Sequence, residues 1–155
     1  MTYKEFRREI TNAYAEVFPR SLCDVGIFKA LGRSIFIDCY LAKDKHELPN
    51  MLFQNDMFRI RFWIDMPDDF MEESELPDNL TLEVCSKFYC IKPKNKYLYC
   101  DYRSLRFQKT KGNPEKIVKT LEKYFQKLKM SVKEDLTIGN IHPNYLSLAK
   151  EKIYD

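Results

Sequence analysis

The sequence predicts an α+β fold in one domain spanning residues 1–155: a helix, five strands as an antiparallel meander, a second long helix packed on the same sheet face, and a short C-terminal helix. Three patterns carry this expectation. An apolar stripe at helical spacing opens the chain, runs of period-two alternation follow, and a second helical stripe begins behind "GNPE". Helices placed before and after a block of strands imply that they cover one sheet face. The order is not the βαββαβ of an RNA-recognition fold, and no RNP1-like run of glycine and aromatics is present.

Thr2 and Glu5 form a T-x-x-E capping box, in which each side chain satisfies an orphan donor of the first turn. Behind it Tyr3, Phe6, Ile10, Ala13, Tyr14 and Val17 share one helix face, and Pro19 ends the element. "SLCDVGIFKALGRSIFIDCYL" reads as a hairpin around an Ala30-Leu31-Gly32 loop. That register sets Cys23 opposite Cys39, Val25 opposite Ile37 and Ile27 opposite Ile35 on the core face, with Asp24 opposite Asp38 on the other. A polar connection over residues 42–56 leads to "MFRIRFWID", the third strand.

The acidic stretch "DMPDDFMEESELPDN" reads as a loop, because Pro67 and Pro77 cannot donate to a ladder. "LTLEVCSKFYCI" and "YLYCDYRSLRF" follow as strands around a Pro93-Lys94-Asn95-Lys96 turn, which pairs Leu82 with Phe107, Val84 with Leu105 and Glu83 with Arg106. Asn113 suits an N-cap and Pro114 the first helical position of helix two. Its stripe is Ile117, Val118, Leu121, Phe125 and Leu128, with Lys116, Lys119, Lys123 and Lys127 on the exposed side. Ser131 and Glu134 suggest a separate short capped turn, and Pro143 opens a final helix through Ile153.

Composition narrows the classes. With 45% hydrophobic residues, 11 Phe and 10 Tyr, the chain can build a core, while four glycines argue against low-complexity segments. The N-terminus is charged from its fourth residue and lacks an apolar h-region, and no window approaches 18 uncharged apolar residues. The expectation is a cytoplasmic protein without a membrane span. Five cysteines include no CxxC, and no histidine stands at zinc-ligand spacing from any of them, so free thiols and no metal site are expected. Residues 1–80 carry 10 Lys/Arg against 15 Asp/Glu, whereas residues 81–155 carry 16 against 8. Within Leu80–Met130 the balance is 13 against 4, a basic segment interleaved with tyrosine.

Alternation in "MFRIRFWID" turns Phe58, Ile60, Phe62 and Ile64 toward the core, and Arg59, Arg61 and the single Trp63 away from it. Two readings stand. In the structural one, the arginines offset the Asp24–Asp38 repulsion from the neighbouring strand, each cross-strand pair contributing roughly 0.2–1 kcal/mol. In the functional one, Arg59, Arg61, Trp63, Lys87, Tyr89, Tyr102 and Arg106 form a binding face with Phe36 and Tyr40, and Lys116, Lys119, Lys123 and Lys127 of helix two add charge. Rings and cations on one sheet face can stack bases and contact phosphates, or serve as hot spots against a protein.

No catalytic residue is assigned. Asp24 and Asp38 form the one carboxylate pair that the register brings together, beside arginines that disfavour a cation. His46 and His142 lack recognisable nucleophile or carboxylate partners. "KTKGNPEK" lacks the P-loop pattern, and Glu115 stands where a phosphate would sit, so no cofactor is expected.

The runs "YRSLRFQKTKGNPEKIVKTLEKYFQKLK" and "GRSIFIDCYLAKDKHELPNMLFQNDMFRIRF" resemble, in patterning, small uncharacterised accessory proteins carried by phages and mobile elements of Gram-positive bacteria. The resemblance covers about half the chain and transfers no site residue. It implies an accessory role, exerted by binding host or element machinery such as a defence system. The leading expectation is thus a non-enzymatic binding protein that acts through its open sheet face and basic second helix on a host protein or nucleoprotein complex. Direct nucleic-acid binding is the alternative, and an enzyme with an unrecognised carboxylate site the second alternative.

Overall fold

The capping box expected at Thr2 opens the first helix, α1 (Tyr3–Val17). Glu5 N donates to Thr2 Oγ1 at 3.2 Å, and Thr2 N donates to Glu5 Oε2 at 2.8 Å. The chain is known from a computed structural model that describes residues 1–28, 33–41, 59–66, 71–90, 101–141 and 143–154, with the backbone alone at 33, 59–65, 84–90, 101–109, 144, 145 and 154. After α1 come five strands: β1 (Cys23–Phe28), β2 (Arg33–Tyr40), β3 (Arg59–Met66), β4 (Leu80–Cys90) and β5 (Asp101–Gly112). Two helices close the chain, α2 (Pro114–Thr137) and α3 (Pro143–Tyr154). The fold is α+β, and each strand is antiparallel to the next in the order β1-β2-β3-β4-β5.

The hairpin register is the one read from alternation: Cys23 faces Cys39, Asp24 faces Asp38, Val25 faces Ile37 and Ile27 faces Ile35. Its loop, the connection over residues 42–56 and the Pro93–Lys96 turn lie outside the described residues. Gly26 stands opposite Phe36 on the outer face, and the Phe36 ring lies across it. A Cβ at Gly26 would stand 2.5 and 2.7 Å from two ring atoms. Gly26→Ala should therefore displace the ring and cost about 1–3 kcal/mol in urea unfolding, the usual range for forcing extra volume into a packed position. In a Phe36→Ala background the same substitution should cost much less, and equal costs in both backgrounds would show that the ring is not the obstacle.

One side of the sheet is buried under the helices. Val25, Ile35, Ile37, Cys39, Leu80 and Leu82 pack in a single cluster with Tyr3, Phe6, Ile10 and Tyr14 of α1 and Ile117, Leu121, Phe125 and Leu128 of α2. Both long helices thus cover the same sheet face, as their single apolar stripes require. α1 has no basic residue in its last turn, and lysines from the other two helices donate instead to its last carbonyl and to the turn that follows it. Lys129 Nζ donates to the Val17 carbonyl at 3.2 Å, and the buried Lys152 donates to the Arg20 carbonyl at 2.7 Å. Helix carbonyls left without intrahelical partners attract such cations.

Three expectations need correction. No separate turn begins at Ser131: α2 runs on to Thr137, because Val132 and Asp135 continue its buried side. It stops at a Schellman closure, where Gly139 adopts φ 69°, Asn140 N donates to the Asp135 carbonyl at 2.8 Å and Gly139 N donates to the Leu136 carbonyl at 3.3 Å. Between β4 and β5 the register is displaced: Val84 pairs with Phe107, Ser86 with Leu105 and Cys85 with Arg106. An irregularity between Leu82 and Val84 then sets Leu82 opposite Thr110, so that one extra β5 residue is absorbed as a bulge. Finally, the acidic stretch is not wholly outside the ladders. Asp65 and Met66 extend β3, and Glu75 forms an isolated bridge with Thr2, where Tyr3 N donates to the Ser74 carbonyl at 3.0 Å.

Candidate functional site

Strand order and register place the predicted outer-face residues in cross-strand rows. One row runs Asp24, Asp38, Arg61, Cys85, Arg106. The next toward the other end of the sheet runs Tyr40, Arg59, Lys87, Ser104. Tyr89 faces Tyr102 one row further on, and the row Gly26, Phe36, Trp63, Glu83 lies on the opposite side of Asp38. Neighbouring strands stand about 4.8 Å apart and same-face residues along a strand about 7 Å apart. Arg59, Arg61, Lys87 and Arg106 thus occupy one compact block of positions over three strands. Asp38 stands directly opposite Arg61, the cross-strand placement expected of an arginine that offsets the Asp24–Asp38 repulsion. Arg59 has Tyr40 on one side and Lys87 on the other, so no acid shares its rung.

The outer face is not uniformly open. Asp38 is 7% exposed and Tyr40 5%, although both occupy outer positions. Their rungs hold the arginines, whereas Phe36 and Glu83 on the next rung retain exposure.

Lys116, Lys119, Lys123 and Lys127 are exposed along α2, whose other side is buried against the inner face of the sheet. A helix is about 10 Å across, so this lysine stripe and the Arg59–Lys87 block lie on opposite sides of a helix-on-sheet sandwich. They are two surfaces. Lys116 comes nearest to the strands: its aliphatic stem crosses Gly112 at the end of β5, where a Cβ would stand 2.5 Å from Lys116 Cδ.

A third feature escaped the sequence reading. Between α1 and the edge strand β1 runs an open groove of about 510 Å³, lined by Lys4, Arg7, Arg8 and Thr11 of the helix and by Cys23 and Asp24 of the strand. Lys4, Arg7, Arg8 and Thr11 follow the i, i+3, i+4, i+7 spacing of one helix face. The polar stripe beside the buried one was the available signal. Arg7 is held there by Glu72 at 2.9 Å and lies 5.8 Å from the Tyr3 ring centroid. On the groove floor Cys23 is partly exposed, and its Sγ lies 3.5 Å from that of the buried Cys39.

Among the described residues, no group of three His, Cys, Asp or Glu side chains could hold a metal ion, and no helix is long and apolar enough to cross a membrane. Compared with protein-family models, curated proteins and solved structures, the chain matches none.

Proposed function

We propose that the chain is a non-enzymatic accessory protein that binds an anionic surface of a host protein or nucleoprotein complex, a defence system for example, through the outer face of its sheet. The observation that supports this reading most is the pairing of Arg59 with Lys87, directly across the ladder and beside Arg61 and Arg106. Like charges on facing positions oppose strand pairing, by something on the order of 0.2–1 kcal/mol. Within this block Arg61 stands opposite an acidic position, that of Asp38. An anionic partner would match the charge of the block, and Trp63, Tyr89 and Tyr102 on the same face supply the ring types enriched at hot spots. The accessory role follows the resemblance to proteins of phages and mobile elements.

Direct nucleic-acid binding is the second reading, favoured by the Tyr89–Tyr102 pair on the rung beyond the cations. Rings next to a basic block suit stacked bases along a phosphate backbone. One experiment separates the two. Labelled single- and double-stranded DNA and RNA are titrated at about 50 and 200 mM salt, the range that exposes phosphate contacts. Wild type is compared with Arg59→Ala/Lys87→Ala/Arg106→Ala and with Lys116→Ala/Lys119→Ala/Lys123→Ala/Lys127→Ala. A photoreactive residue at position 102, with one at exposed position 126 of α2 as control, then reports contacts in a bacterial extract.

The leading reading expects no salt-sensitive nucleic-acid binding. It also expects one discrete protein adduct from position 102 that Arg59→Glu/Lys87→Glu abolishes. Salt-sensitive binding lost in the strand variant, with its salt slope reduced by about one for each phosphate contact removed, would establish the second reading instead. Binding lost only in the α2 variant, or no contact at all from the strand face, would overturn both.

A further inference from the structure

We propose that Cys23 and Cys39 are a redox pair that closes reversibly to a cross-strand disulfide between β1 and β2. The two residues stand directly opposite in the ladder, with their sulfurs 3.5 Å apart. Tyr40 N donates to the Leu22 carbonyl at 2.9 Å, which makes 22 and 40 a hydrogen-bonded pair. The alternation of antiparallel ladders then makes 23 and 39 a non-hydrogen-bonded pair, whose Cα atoms lie about 4.5 Å apart. That separation falls inside the range of about 4.4–6.8 Å that a disulfide spans. Closing the sulfurs to about 2.05 Å requires side-chain rotation on a backbone already in place.

Access differs between the two thiols. Cys23 lines the groove under α1 and is partly exposed, whereas Cys39 is fully buried. A low-molecular-weight disulfide therefore meets Cys23 first. Its thiolate attacks one oxidant sulfur, the oxidant S–S bond breaks, and one thiol leaves as a mixed disulfide forms on Cys23. Cys39 then gives up its proton and attacks Cys23 Sγ, expelling the second thiol. Two protein thiols are oxidised to one disulfide, and the oxidant disulfide is reduced to two thiols. Burial, followed by the neighbouring Cys23 and Asp38, holds the Cys39 thiol well above its ordinary range and so keeps it from reacting with the oxidant itself; its attack rests on the nearness of Cys23 Sγ, 3.5 Å away. The pair needs no other cysteine.

The test uses the full chain, reduced and then exposed to a series of reduced and oxidised glutathione ratios. Free thiols are trapped with iodoacetamide before and after denaturation, and the products are read by intact mass and peptide mapping. The expected product is lighter by two hydrogens and joins the Cys23 and Cys39 peptides, with Cys85, Cys90 and Cys100 still alkylated. Cys39→Ser should stop at a stable glutathione adduct on Cys23, and Cys23→Ser should take up neither adduct nor cross-link at Cys39. Should Cys39→Ser fail to fold, the wild-type map and the Cys23→Ser variant carry the same decision. A cross-link joining other cysteines, a Cys23 adduct that persists in wild type, or oxidation only after unfolding in urea would each overturn the proposal.

Discussion

Phe125→Ala is expected to lose about 3–5 kcal/mol of folding stability, the range for removing a large aromatic from a packed core. Phe125 is fully buried and meets the Tyr14 ring edge-on, with centroids 5.2 Å apart and ring planes at 77°. Tyr14 in turn stacks at a tilt on Phe18, 5.1 Å away. These three rings join the C-terminal half of α1 to the middle of α2, where the two helices cover the sheet together. Folded domains have only about 5–15 kcal/mol to lose, so the substitution removes a large share of it. At roughly 2–4 °C per kcal/mol for a chain of this length, the melting temperature should fall by about 6–20 °C. The exposed Glu122→Ala on the same helix should leave it unchanged within about 0.5 kcal/mol. A loss below about 1 kcal/mol in Phe125→Ala would mean that the ring contact does not hold the helices together.

Much of this arrangement was readable because burial has one period in helices and another in strands. The stripe through Phe6, Ile10 and Tyr14 and the one through Ile117, Leu121 and Phe125 each mark the buried side of a helix. The Cys23–Cys39 register followed from alternation on two adjacent strands. The β4–β5 register did not: the ladder from Cys90–Asp101 to Val84–Phe107 stands two residues off the alignment that a four-residue turn implies, and the bulge beside Leu82 adds a third without a glycine or proline to mark it. The end of α2 was misplaced for a different reason. Ser131 and Glu134 imitate a capping box, but such a pair caps only if the preceding residues leave the helix, and the buried side continues through them to Val132 and Asp135. Gly139 was the true stop signal.

The binding positions were legible as a face and not as a layout. Alternation could set Arg59, Arg61 and Trp63 on the side away from the core. The order of the strands then brings Lys87 beside Arg59 and Arg106 onto the Arg61 rung. The same pattern could not show that α2 carries its lysines away from that block, since the direction in which a helix faces depends on which sheet side it covers. The groove under α1 was hidden for a related reason. A polar helix face shows that side chains meet water, and only the adjoining strand edge makes a concavity of it.

Tyr14→Phe is expected to weaken the protein at neutral pH and to strengthen its resistance to alkali. The Tyr14 hydroxyl is buried and donates to the Tyr40 carbonyl at 2.7 Å, so its removal takes a donor from a buried acceptor, at a cost of about 1–3 kcal/mol. Burial, and after it the neighbouring Cys39 and Cys23, holds the Tyr14 hydroxyl well above its ordinary value of 10.0. An unfolded tyrosine ionises near that ordinary value, about 10. At higher pH the unfolded chain has released a proton that the folded chain keeps. Unfolding then releases a proton, and stability falls as pH rises by about 1.4 kcal/mol per unit for that one group. Below pH 10 the contribution is intact. Cys39, likewise raised above its ordinary 9.0 by burial, acts in the same direction from one unit lower, and Tyr3 joins Tyr14 above pH 10. Urea unfolding of wild type between about pH 8 and 11 should therefore show a decline that begins near 9 and steepens near 10. Tyr14→Phe should keep the first decline and lose one proton's worth of the second. A slope above pH 10 identical in the two proteins would mean that Tyr14 ionises as readily inside the core as outside it, which its buried hydrogen bond to β2 contradicts.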